Sequence, residues 1–144
     1  MKAVIQRVKR ASVQAGEQKT SIGPGMLVLA GLEKGDTEET CAWAAAKIAS
    51  LRIFEDEDGD MNLGLQDVGG EILAISQFTL AGSIVKGRRP SFDRAMNTEA
   101  ARVLFRHFLE LLKAEYPRLK SGFFQEHMEV ELVNDGPVTF ILDR

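Results

Sequence analysis

A mixed α/β fold, a mostly antiparallel sheet with two covering helices, is predicted by three features of the sequence. Short apolar runs bounded by turn residues mark about seven strands in succession. Two longer segments, roughly 37–51 and 98–116, repeat their apolar residues at helical spacing instead. The chain has 144 residues, 44% hydrophobic and 27% charged, which suits a single domain spanning 1–144 with one core.

Met1–Val13 reads as the first strand, Ala15-Gly16 as a turn and Lys19–Ile22 as the return. Gly23-Pro24-Gly25 then turns the chain into Met26–Ala30, whose unbroken apolar run marks a buried strand. After the Glu33–Asp36 loop, Asp36 or Thr37 caps the first helix, with Glu38 and Glu39 in the turn where the helix dipole favours anions. Cys41, Ala44, Ala45, Ile48 and Leu51 share one stripe, so the only cysteine reads as a small buried hydrophobe. Arg52–Glu55 is a strand and Met61–Leu65 a short extended piece. Between them, Asp56-Glu57-Asp58-Gly59-Asp60 lacks the alternating ligands and closing glutamate of a calcium loop and reads as an acidic turn.

Val68-Gly69-Gly70 leads into the run Glu71–Leu80. Ile72, Ala74, Phe78 and Leu80 lie on one face of that strand, Leu73 and Ile75 on the other, the pattern of an interior strand. Gly82–Asp93 is a long basic loop. Asn97 or Thr98 opens the second helix, whose stripe holds Ala101, Leu104, Phe105, Phe108, Leu111 and Leu112 and which Pro117 ends. Phe124–Leu132 alternates, with Met128, Val130 and Leu132 facing one way and His127, Glu129 and Glu131 the other. The last apolar run is interrupted by Gly136-Pro137. Proline cannot donate to a ladder, so this is an edge, a bulge or a turn, and an X-Pro bond there is free to be cis or trans.

Several function classes are excluded. No run of 18 apolar residues marks a membrane span. The start of the chain carries no apolar leader and a lone cysteine forms no intrachain disulfide, so a cytoplasmic protein is expected. The net charge of −3 argues against a general nucleic-acid coat. A local basic rim is still available at Arg7, Lys9 and Arg10 and at Lys86-Gly87-Arg88-Arg89, either as solvated surface or as a small RNA contact. There is no zinc-ligand spacing, P-loop, dinucleotide fingerprint or Gly-x-Ser-x-Gly elbow. His107 and His127 both fall on polar faces. The protein is therefore expected to work without a metal, a cofactor or a conventional triad.

What remains is polar chemistry in two places. Ser76, Gln77 and Thr79 end a buried strand, where polar groups are costly unless they are hydrogen-bonded or functional. Gly136-Pro137 offers backbone carbonyls and no bulky side chain. Arg7 shares its parity with Ala3 and Ile5, and an arginine on that face needs acceptors.

Ser76-Gln77-Phe78-Thr79-Leu80 together with Asn134-Asp135-Gly136-Pro137-Val138-Thr139-Phe140 resembles the D-aminoacyl-tRNA deacylases. Ile5-Gln6-Arg7-Val8, Arg52-Ile53-Phe54, Met61-Asn62-Leu63 and Arg89-Pro90-Ser91-Phe92 match in order and spacing, so the resemblance covers essentially the whole chain. It implies that the sheet folds into a barrel-like core. It also implies that the 3′ end of aminoacyl-tRNA is bound and that the ester to a D-amino acid is hydrolysed, a proofreading step in translation. Ser76, Gln77, Phe78 and Thr79 would form the catalytic segment, with backbone N–H groups near Gln77 and Phe78 facing the developing oxyanion and the tRNA ribose hydroxyl helping to activate water.

The resemblance further implies a homodimer in which Gly136-Pro137, as a cis pair, enters the partner's active site as a chirality filter. L side chains would point into its carbonyls and be excluded; glycyl-tRNA, with no side chain, would leak through. Arg7 would hold that segment. A nucleophilic Thr79 needs an adjacent base, which the sequence does not offer, so an orienting role is favoured and a covalent one stays open. Two other classes fit the same residues: an RNA-end binding module without turnover, and a structural dimer whose Gly-Pro only shapes the interface.

Overall fold

The computed structural model describes all 144 residues, and a 14-residue strand, β1 (Lys2–Ala15), is its spine. On one side β1 pairs antiparallel with β8 (Glu129–Asp143) along almost its full length. On the other side its first half pairs with β3 (Gly25–Gly31) and its second half with β2 (Gln18–Ile22), both antiparallel. β6 (Glu71–Ser76) then adds to β3, and β7 (Leu119–Ser121) to β6, both in parallel. Parallel neighbours need a crossover. The first carries α1 (Glu38–Ala49), the hairpin β4 (Arg52–Glu55) and β5 (Met61–Gly64), and the four-residue α2 (Leu65–Val68). The second carries α3 (Thr98–Glu115).

The sheet curls until its ends approach, giving a nearly closed, barrel-like form. Lys120 Nζ on β7 donates to the Ser21 carbonyl on β2 at 2.8 Å. Glu71 accepts the Gly23 N–H at 3.0 Å and pairs with Lys120 at 3.0 Å. Both faces of the curled sheet are apolar. Ile5, Met26, Val28, Ile72 and Ala74 pack against Cys41, Ala45 and Ile48 of α1 and Phe105, Phe108 and Leu112 of α3. Val13, Ile22, Leu27, Leu73 and Ile75 fill the other face. That is why β6 is apolar at both parities. Thr37 is the residue that caps α1, its hydroxyl accepting the Thr40 N–H in a reciprocal capping box.

Four features depart from the sequence reading. β6 stops at Ser76, and Phe78–Ala81 is a 3₁₀ turn, so Phe78 and Leu80 do not continue the face of Ile72 and Ala74. Ser76 pairs with Ala30, the Gln77 N–H makes a last bond to the Ala30 carbonyl at 2.8 Å, and β3 itself ends one residue later. With no strand left to pair with, the chain folds onto itself, the Leu80 N–H reaching the Gln77 carbonyl at 3.1 Å. The alternation seen from Phe124 is strand only from Glu129 onward; Gln125, at φ 64°, turns the chain before it. β7 and α2 were not anticipated, being too short at 3 and 4 residues to carry a period. Last, the sheet is antiparallel around β1 but parallel at β3, β6 and β7.

Candidate active site

The Gly136-Pro137 segment is a local bulge in the β1–β8 ladder. Gln6 pairs with Thr139 and Val8 with Asn134, so residues 135–138 of β8 stand opposite the single residue Arg7. The Gly136-Pro137 bond is cis, and both residues are exposed. Two side chains fix the bulge. Arg7 is 4% exposed and uses its whole fork: Nε to the Asp135 carbonyl at 2.9 Å, Nη1 to the Ile53 carbonyl at 2.8 Å, Nη2 to Glu55 Oε1 at 2.9 Å. It thereby ties the bulge to β4. Asn134 Nδ2 donates to the Arg7 carbonyl at 2.9 Å and to the Val138 carbonyl at 3.1 Å, spanning the bulge from within. The roles of Ile53, Glu55 and Asn134 were missed from sequence. Asparagine two residues before Gly-Pro was the available signal, because its side chain readily satisfies nearby backbone groups.

Ser76 and Gln77 are half-buried at the carboxyl ends of the parallel pair β3 and β6, the end of an α/β sheet where ligands commonly bind. Close packing is enforced by Gly31, where an added Cβ would lie 2.6 Å from the Gln77 carbonyl oxygen. The Gln77 amide is spent on Ala30 and is not free for an oxyanion, a correction to the sequence reading. The N–H groups of Phe78 and Thr79 instead lead the 3₁₀ turn, where leading amides have no partner within the turn. Gln77 Nε2 donates to Thr79 Oγ1 at 2.6 Å, leaving the threonine proton to point elsewhere. The Thr79 hydroxyl has no other hydrogen-bond partner within the chain, and so no adjacent base. His107 sits beside Glu110 at 3.9 Å on α3, and His127 is exposed outside the regular elements. Burial pushes the Cys41 thiol up to about 11, which removes it as a thiolate nucleophile. No three His, Cys, Asp or Glu side chains are grouped so as to hold a metal ion.

Phe78 is 57% exposed and packs on Phe92, ring centroids 5.3 Å apart. Phe92 belongs to the loop that follows the turn, closed at its neck by the paired Ser83 and Ser91 backbones at 2.8 and 2.9 Å. Its tip carries Ile84 and Val85, 80% and 86% exposed, and the exposed Lys86, Arg88 and Arg89. The two motifs do not meet within one chain. Arg7 pairs with Met26 and Ser76 with Ala30, and β8 lies three strand steps from β6. Along the sheet that is about 13 Å lengthwise and about 14 Å across.

Proteins named D-aminoacyl-tRNA deacylase match this chain over all or nearly all of their length. That of Pelobacter propionicus is 58% identical over 145 residues, covering 100% of both chains. That of Geobacter sulfurreducens is 56% identical over 144 residues, covering 99% of this chain and 95% of its own. A solved structure named "c-Myc DNA Unwinding Element Binding Protein" superposes with a TM-score of 0.93 at 43% identity, covering 100% of this chain and 99% of that one. A second, a probable eukaryotic D-amino acid tRNA deacylase, shares the fold with a TM-score of 0.87 at 17% identity. Fold and relatives define the class, a hydrolase acting on aminoacyl-tRNA. Residues 4–143 match the family described as D-Tyr-tRNA(Tyr) deacylase, and the chain belongs to that family. No helix is long and apolar enough to cross a membrane.

Proposed function

We propose that this D-aminoacyl-tRNA deacylase reads chirality with the backbone of Gly136-Pro137 and hydrolyses the ester beside Ser76–Thr79. The observation that carries the reading is the bulge itself. Four residues lifted out of a ladder opposite Arg7, and pinned by two side chains, form a rigid surface made of backbone. Carbonyls facing the α-carbon of the bound aminoacyl group exclude an L side chain by collision and ignore the identity of a D side chain. Glycine has nothing to exclude, so glycyl-tRNA is a second substrate.

In the chemical step the leading amides of the 3₁₀ turn, Phe78 above all, donate to the oxyanion that forms when water attacks the ester carbonyl. Thr79, its oxygen held by Gln77, orients the water or the ester and does not become acylated. The neighbouring ribose hydroxyl of the tRNA assists in activating the water. Ser76 fixes the end of the strand that carries this turn.

Because the filter and the turn lie three strands apart in one chain, a filter acting at the ester comes from a second copy. The working unit is therefore a homodimer in which each Gly136-Pro137 enters its partner's site. The Lys86–Arg89 loop beside Phe92 meets the phosphates of the tRNA end. The setting is the cytoplasm, where tRNA is charged and used.

The test is hydrolysis of D-tyrosyl-tRNA and L-tyrosyl-tRNA, assayed separately with glycyl-tRNA as a third substrate. Rapid loss of the D and glycyl esters with the L ester spared is the expected result. Equal loss of D and L esters would keep the hydrolase and discard the filter.

A further inference from the structure

We infer that Asn134 is a positioning residue that sets the reading surface of the Gly136-Pro137 filter; this rests on the filter reading above. In the β1–β8 ladder the Arg7 carbonyl faces residues 135–138, one of which, Pro137, has no N–H to give. The Asn134 amide supplies the donor, at 2.9 Å. The same nitrogen holds the Val138 carbonyl at 3.1 Å, so one NH2 group ties both ends of the bulge to β1. The other end of the amide lies against Gly136: a Cβ built there collides with Asn134 Oδ1. Asn134 thus sets the height of the bulge through its nitrogen and, through its oxygen, occupies the space that a side chain on Gly136 would need. Arg7 fixes the segment sideways to β4, and Asn134 fixes it to the strand below.

Two contacts to backbone carbonyls by an exposed side chain contribute little to global stability. They control where the carbonyls stand. Asn134→Asp keeps the shape and removes both donors, setting a carboxylate against two carbonyl oxygens. The bulge then shifts, and the space that excluded an L side chain opens.

The experiment measures kcat/KM on D-tyrosyl-tRNA and L-tyrosyl-tRNA for wild type, Asn134→Asp, Asn134→Ser, Asn134→Ala, Gly136→Ala and the Ala/Ala double variant, with each fold checked by circular dichroism. The D/L ratio of Asn134→Asp is expected to fall by about tenfold or more, the scale of one misplaced hydrogen-bonded contact, through a rise in the L rate. Asn134→Ser, which keeps one donor, falls between. Gly136→Ala should lower the ratio strongly in the wild-type background and little when residue 134 is already alanine, because its collision partner is gone. A merely structural Asn134 would lower both rates together and leave the ratio unchanged. A ratio retained in a folded Asn134→Asp, or additive effects of the two alanines, overturns this inference alone. Equal D and L rates in the wild type overturn the filter and the inference together.

Discussion

Phe78 carries the residue-scale claim, since it is the backbone of this residue and not its ring that is assigned to the chemistry. It is the first residue of the 3₁₀ turn, a position where proline's fixed φ fits, and the preceding Gln77, at φ −139° and ψ 76°, is outside the helical region that proline disfavours. Phe78→Pro removes one N–H together with the ring that packs on Phe92. Loss of one oxyanion donor costs about 10²–10³ in kcat. The control is Phe78→Ala, which drops the Phe92 contact and keeps the amide. Steady-state kinetics on D-tyrosyl-tRNA should show the proline variant slow and the alanine variant close to wild type; equal losses would point to the ring. At this scale the sequence marked Ser76, Gln77 and Thr79 as misplaced polarity at a buried strand end, and Arg7 as a charge on an apolar face. Which amide is free was not legible. That depends on where β3 stops, a fact of pairing between segments over 40 residues apart.

The elements were legible wherever they were long enough to repeat. α1 and α3 lie within two residues of the predicted ends because their caps and stripes are local signals. The parallel pairing of β3, β6 and β7 was not legible, because both-parity burial tells that a strand is interior and says nothing of its direction. The Glu71 carboxylate, at one end of β6, joins the two ends of the sheet beside the Lys120–Ser21 hydrogen bond. The Gly23 N–H, and after it Lys120, hold the Glu71 carboxyl below the usual glutamate range. A carboxylate depressed in the folded state contributes stability above its unfolded pKa, and the contribution is lost as pH falls through the folded value. Urea midpoints should therefore drop on acidification in the wild type, and drop less in Glu71→Gln between about pH 7 and pH 4. Parallel curves for the two proteins would remove Glu71 from the closure.

For the whole molecule, the fold class followed from periodicity, and the barrel-like closure from the resemblance. The separation of the two motifs was visible only in the ladder, which puts the filter near Met26 and the turn near Ala30 across three strands. On the proposed reading, one chain holds both parts of a site that it does not assemble alone. Mixing subunits tests this most directly. Gly136→Ala, with its own turn intact, is expected to hydrolyse L-tyrosyl-tRNA as well as the D ester. Phe78→Pro, with its own filter intact, is expected to be nearly inactive. After the two are exchanged with the proline variant in excess, each remaining working turn receives a wild-type Gly136-Pro137 from its partner. The account expects L-tyrosyl-tRNA hydrolysis to fall while D-tyrosyl-tRNA hydrolysis persists. An L rate per Gly136→Ala chain that does not change on mixing would contradict it.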